Sequence, residues 1–221
     1  MTMIKFHPDE NYLTEYSAGS LSTAQSICIA THLEYCNHCQ QFIDMLNNIG
    51  GSLFDNISDT SVSDDVLDIL MNRIKSEHVD KDIEFHRQQP DTKTDLPVII
   101  NRLVKRNDKL NWKKLTSSLQ VARLATGQDQ FEVSLHNIKA GGRVAEHDHK
   151  GTEITVVLKG SFSDANGVYQ QGDFLLKEPG QVHRPIASQD TDCLCLTAVD
   201  MPVQFTGIAS ILNPFLRVNP Q

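Results

Sequence analysis

Residues 141–160 read GGRVAEHDHKGTEITVVLKG, a strand, a turn and a second strand. Side chains two apart on an extended strand share a face, so His147 and His149 project to the same side and Glu153 returns toward them from the turn. A fourth donor, His183, closes the segment GDFLLKEPGQVH (172–183). Imidazoles joined by one carboxylate make a metal site of borderline hardness. Strand histidines taken singly are usually structural or surface residues, but four donors in this register are poorly explained by coincidence.

The β signature extends on both sides of that stretch. FEVSLHNI (131–138), EITVVLKGSF (153–162), GDFLLKEP (172–179) and CLCLTAV (193–199) are rich in β-branched and apolar residues, and the turn clusters AGG, DANG and EPG separate them. Short strands at intervals of roughly 8–12 residues imply an all-β barrel or sandwich. Cys193 and Cys195 alternate on their strand and so share a face. They read either as inward packing residues or as thiols that meet an oxidant near the metal.

Toward the N-terminus the periodicity becomes helical, from residue 9 to about 50. Leu13 and Tyr16 stand three apart, Ala18-Gly19 break the pattern, and Ser22 or Thr23 can cap a second helix carrying Ile27, Cys28, Ala30 and Leu33. A third helix is expected from Asn37, with Phe42, Ile43, Leu46 and Ile49 on one face and Gly50-Gly51 as its stop. Ser61 to Ile74 is a further amphipathic stretch, in which Ser63 can cap, Asp64 and Asp65 favour the positive helix start, and Val66, Ile69, Leu70 and Ile74 form a stripe. That stripe either packs on the first helices or docks a partner.

A second donor set lies at these helix junctions: His7, then His32, Cys36 and Cys39 in HLEYCNHC (32–39). Two thiolates three residues apart, an imidazole one helical turn earlier and a fourth donor from the preceding segment can close a tetrahedron. A small helical unit has a small core, so such a metal clip adds stability it needs. A thioredoxin-like Cys-x-x-Cys would require a βαβ setting that the segment lacks. His38 reads as a bystander and Cys28 as an inert core thiol.

These readings give a multi-domain α + β chain: residues 1–86 as a small all-α metal-bound bundle, 87–100 as a linker that opens with the polar RQQPDTKTDL, and 101–221 as an all-β barrel. Leu96 to Leu115 is expected as a short helix or an extended lead-in. The 221 residues, 39% hydrophobic and 22% charged, suit a globular chain with real cores. A formal net charge of −8 argues against direct nucleic-acid binding and for a basic protein partner. With no apolar run of about 18 residues and no apolar leader, the expected place is the cytoplasm, away from membranes. Five cysteines, with one pair in Cys-x-x-Cys spacing, suit metal or redox chemistry in a reducing interior better than a disulfide scaffold. Self-association is compatible with the sequence, which does not fix an oligomeric state.

HPDENYLTEYSAGSL (7–21) with HLEYCNHC resembles the zinc-binding anti-sigma domain, and the bundle-then-barrel order is similar to the ChrR family. His7, His32, Cys36 and Cys39 match that family's zinc ligands, with Asn37 where a proline is common. Gly141–Gly160 resembles the first cupin motif without gaps and 172–183 the second, although Pro179 directly precedes Gly180 and Ala187 stands where cupins often have Asn. The likeness extends through LHNIKAGG, KGSFSDANGVYQQGDF and FTGIASILNPFL. It implies two zinc ions per chain, held by His7, His32, Cys36 and Cys39 and by His147, His149, Glu153 and His183. It also implies a non-enzymatic regulator that inhibits an extracytoplasmic-function sigma factor of the sigma-E type and frees it when the barrel senses singlet oxygen or related oxidative stress. A metal-dependent cupin enzyme, a dioxygenase or isomerase, is the alternative, and an interaction protein stabilised by two metals is the bland one.

Overall fold

The first helix, α1 (Glu10–Ser17), starts at Asp9, whose carboxylate accepts the Tyr12 N–H at 2.8 Å, and ends at Ala18 before Gly19 turns left-handed with φ 70°. Of the two cap candidates for α2 (Thr23–Leu33), Ser22 is used: its hydroxyl accepts the Gln25 N–H while the Gln25 side-chain Oε1 accepts the Ser22 N–H. After a short turn, α3 (Asn37–Phe54) begins. The structure is a computed structural model that describes residues 4–55, 57–63, 65–76, 96–107, 110–201 and 203–205.

One helical expectation needs correction. Gly50-Gly51 does not stop α3, which continues to Phe54, because neither glycine adopts the positive φ that a terminating cap requires. The next helix, α4, spans Val66–Ser76, and the Val66 N–H bonds the carbonyl of Ser63, the expected cap residue. No α4 residue is buried. Of the expected linker, 87–95 lies outside the described residues, and Val98–Arg106 forms α5, with Ile100 fully buried.

Eleven strands follow among the described residues: β1 (Lys113–Lys114), β2 (Leu119–Leu124), β3 (Glu132–Ile138), β4 (His147–His149), β5 (Glu153–Lys159), β6 (Ser161–Asp164), β7 (Gly167–Gln170), β8 (Phe174–Lys177), β9 (Ile186–Ala187), β10 (Cys193–Val199) and β11 (Val203–Phe205). All pair antiparallel, in a six-stranded sheet β1-β2-β3-β10-β5-β8, a three-stranded sheet β7-β6-β9 and the pair β11-β4. This is the expected cupin-like β region. The late FTGIASILNPFL lies, from residue 206, outside the described residues.

The chain divides into two compact units, Met1–Leu46 with Leu96–Gln221, and Asn47–Asp95. Within the first unit the central strands are covered on both faces. Ile154, Val156 and Leu158 of β5 and Leu196 and Ala198 of β10 join a core with Leu13, Ala24, Cys28, Ile29 and Ile43 of the helices. The alternate positions Val157, Cys193 and Cys195 face a second core, with Leu119, Val121, Phe162, Tyr169 and Leu175. Burial of each large aliphatic side chain is worth about 1.5–3 kcal/mol, so the helices and the sheet stabilise one another through this shared layer.

Two candidate metal centres

Strand pairing assembles the barrel centre. His147 and His149 lie on β4 and Glu153 opens β5, while His183 is brought over by an isolated bridge in which His147 and His183 exchange backbone hydrogen bonds of 3.1 and 3.0 Å. The Asp148 carboxylate accepts the N–H groups of His149 and Gly180 at 2.8 and 2.9 Å, pinning the EPG turn beside the HDH strand. Gly180 has φ 88°, which a side chain would strain, so the Pro-Gly departure is absorbed by turn geometry. All four donors are buried, and their ligand atoms lie within 4.8 Å of one another.

The donor chemistry of this centre fits a cation. His147 Nδ1 donates to the Ala145 carbonyl at 2.8 Å and His183 Nδ1 to the Asp164 carboxylate at 3.3 Å, so each ring turns its Nε2 inward, where a ligand nitrogen is needed. Those two Nε2 atoms stand 3.0 Å apart, and that of His149 stands 3.1 Å from His183. Facing lone pairs at that distance repel unless a positive charge sits among them. Glu153 Oε1 accepts from Thr155 at 3.0 Å, while the buried Oε2 has no hydrogen-bond partner although it lies 3.1 Å from His149 Nδ1. Burial pulls His183 down to about 4 despite the Glu153 charge. Burial works to raise the Glu153 carboxyl, but the surrounding imidazoles outweigh it and leave it below its usual range. Neutral imidazoles around an ionised carboxylate are the protonation states that a metal requires.

The helical centre is built from the end of α2 and the start of α3. His32 sits in the last turn of α2, Cys36 in the turn, Cys39 in the first turn of α3, and His7 in the segment before α1. His7 Nδ1 lies 3.3 Å from Cys36 Sγ and 3.4 Å from Cys39 Sγ, and His32 Nε2 lies 3.4 Å from Cys39 Sγ. Zinc–nitrogen bonds of about 2.0 Å and zinc–sulfur bonds of about 2.3 Å make a tetrahedron with edges of about 3.5 Å, which these separations match. Burial pushes the Cys39 thiol up to about 12, reinforced by Cys36, and burial draws His32 down to about 4. A divalent cation reverses the thiol shift, since a coordinating thiol is deprotonated outright. His7 is the exposed member of the set.

The remaining sequence candidates fall into place around the two centres. His38 is exposed, its ring 5.6 Å from that of His7, and Cys28 is fully buried, its thiol pushed up to about 12. Cys193 and Cys195 face the barrel interior with sulfurs 3.7 Å apart. Cys195 pairs with Val157, four residues along β5 from Glu153, which is about 13 Å at strand spacing. Between them lies a polar layer that the sequence reading missed: Ser134, Thr155, Thr197 and His136, with His136 Nε2 3.0 Å from Ser134 Oγ and 3.2 Å from Thr197 Oγ1. It missed Asp164 too, which gathers His183, Lys177 and Tyr169. No sequence motif marks these residues, because contacts such as Ser134–Thr197 and Asp164–His183 join strands far apart in sequence.

A β-barrel with a His3Glu constellation, preceded by a helical His2Cys2 module, defines a cupin protein with two candidate metal centres. The model of the ChrR Cupin-like domain matches residues 101–201. The anti-sigma-E factor ChrR of Cereibacter sphaeroides is 31% identical over 216 residues, 97% of this chain and 99% of that protein. The crystal structure of Rhodobacter sphaeroides SigE in complex with the anti-sigma ChrR aligns with a TM-score of 0.72 at 31% identity, over 90% of this chain and 100% of that one. The chain belongs to the ChrR family. Among the described residues, no helix is long and apolar enough to cross a membrane.

Proposed function

We propose that this chain is a cytoplasmic anti-sigma factor. Its helical module binds an extracytoplasmic-function sigma factor of the sigma-E type and blocks its use by RNA polymerase, and its barrel releases that grip under singlet oxygen or related oxidative stress. Zinc is the metal we assign to both centres: His7, His32, Cys36 and Cys39 hold a structural ion, and His147, His149, Glu153 and His183 hold the ion of the sensing barrel. Neither ion turns over a substrate; the chain is a regulator, in keeping with a relative matched over 99% of its length, whose name is that of an anti-sigma factor.

The observation that carries this reading is a set of large apolar side chains left exposed on two helices, among the described residues. Ile49, Leu53 and Phe54 near the end of α3 are 55, 66 and 73% exposed, and on α4 Leu67, Leu70 and Ile74 are exposed as well. Large apolar side chains exposed in such numbers favour a surface that a partner uses. A net charge of −8 favours a partner that is basic, as DNA-binding proteins are. Co-expression of the full chain with the sigma factors of its host, followed by purification and metal analysis, tests the proposal. A complex with two metal equivalents per chain is expected; purification without any sigma factor would overturn it.

A further inference from the structure

We infer that the barrel supplies positioning residues for the helical metal centre, through the turn Gln170–Phe174 between β7 and β8. This rests on the metal reading proposed above and goes one step further. His32 Nδ1 donates to the Gly172 carbonyl at 2.7 Å, across 140 residues of sequence, and that bond fixes which ring nitrogen faces Cys39. Asp173 is fully buried. Its Oδ1 accepts the N–H groups of Lys5 and Phe6 at 2.9 and 3.1 Å, its Oδ2 accepts that of Gln170 at 2.8 Å, and the Phe174 N–H closes the pairing on the Phe6 carbonyl at 3.0 Å.

The segment so held leads directly into His7. A charged acceptor in a dry setting binds backbone donors strongly and is costly to leave unpaired, so the turn sets the position of His7 as well as the orientation of His32. The fit is close. At Gly172, whose φ is 91°, an added Cβ would come within 2.7 Å of Ile4 Cδ1 and 2.9 Å of Tyr35 Cβ. Two of the four donors of the helical centre are therefore oriented by one β-turn, and whatever displaces that turn loosens the metal.

The test uses the full chain loaded with cobalt(II). Sulfur-to-cobalt absorption reports the helical centre alone, since the barrel centre contains no sulfur donor. In Asp173→Ala and Gly172→Ala, cobalt should leave the sulfur site for a chelator about 10–100-fold faster than in the parent chain, while cobalt in the barrel centre leaves at the parent rate. Loss at the parent rate from the sulfur site of either folded variant would overturn the inference, and so would equal acceleration at both centres. Because coupling is reciprocal, the unaltered chain gives a second measurement: filling the sulfur site should slow amide exchange at Lys5, Phe6 and Phe174. Unchanged exchange there, with the sulfur–cobalt band fully formed, also overturns it. A parent chain that never shows that band would instead defeat the metal reading itself.

Discussion

Cys39 is buried and is one of the two sulfurs among the candidate ligands of the helical centre, so Cys39→Ser takes a thiolate out of that set. Metal content should fall from two equivalents per chain toward one, read by elemental analysis after exhaustive dialysis. The barrel thiols behave differently. Hydrogen bonding to Cys193, with burial, holds Cys195 well above the usual thiol range, so a reactive thiolate is scarce there. Cys193→Ser/Cys195→Ser should therefore release a bound sigma factor under oxidant as the parent does; a variant blind to oxidant would restore the pair to the signalling path. The two groupings of candidate donors were legible in the sequence: helix and strand periods bring His32, Cys36 and Cys39, and His147, His149 and Glu153, close together, and His7 and His183 join them from distant segments. Gly172, Asp173 and Asp164 were not, because the contacts that give them meaning span tens to hundreds of residues.

At the level of elements, α3 is the instructive case. Two glycines in series read as a stop, yet a glycine ends a helix only where the backbone turns left-handed, and the local pattern does not say whether it does. Nothing lies within 4 Å of a Cβ built on Gly50 or Gly51. Gly50→Ala/Gly51→Ala should add helicity by circular dichroism and stabilise α3 by about 0.5–1 kcal/mol per site. The stripe of α4 was visible as a stripe; its exposure was not, since periodicity reports an apolar face without saying what covers it. If that face grips the sigma factor, Leu70→Glu/Ile74→Glu should weaken the complex by a factor of ten to a thousand in a titration, about 1.4–4 kcal/mol, with both metals retained.

Across the whole chain, the bundle-then-barrel order was plain from the change of period near residue 116, but the partnership of residues 4–46 with the barrel was not. In retrospect EITVVLK carries the signal: a strand with one wet face alternates, whereas β5 is buried at six successive positions and so has protein on both sides. The helices that provide the outer cover also carry the first donor set, and α5 is tied to them where the Glu34 carboxylate accepts the Val98 N–H at 2.8 Å.

That double coverage governs how the protein can be cut. A fragment beginning at residue 96 would bare Ile154, Val156, Leu158, Leu196 and Ala198 as one greasy wall of sheet, and such walls stick to each other. The trimmed barrel should come off a sizing column in the void volume or fail to stay in solution, whereas adding residues 1–46 as a separate chain should rescue part of it.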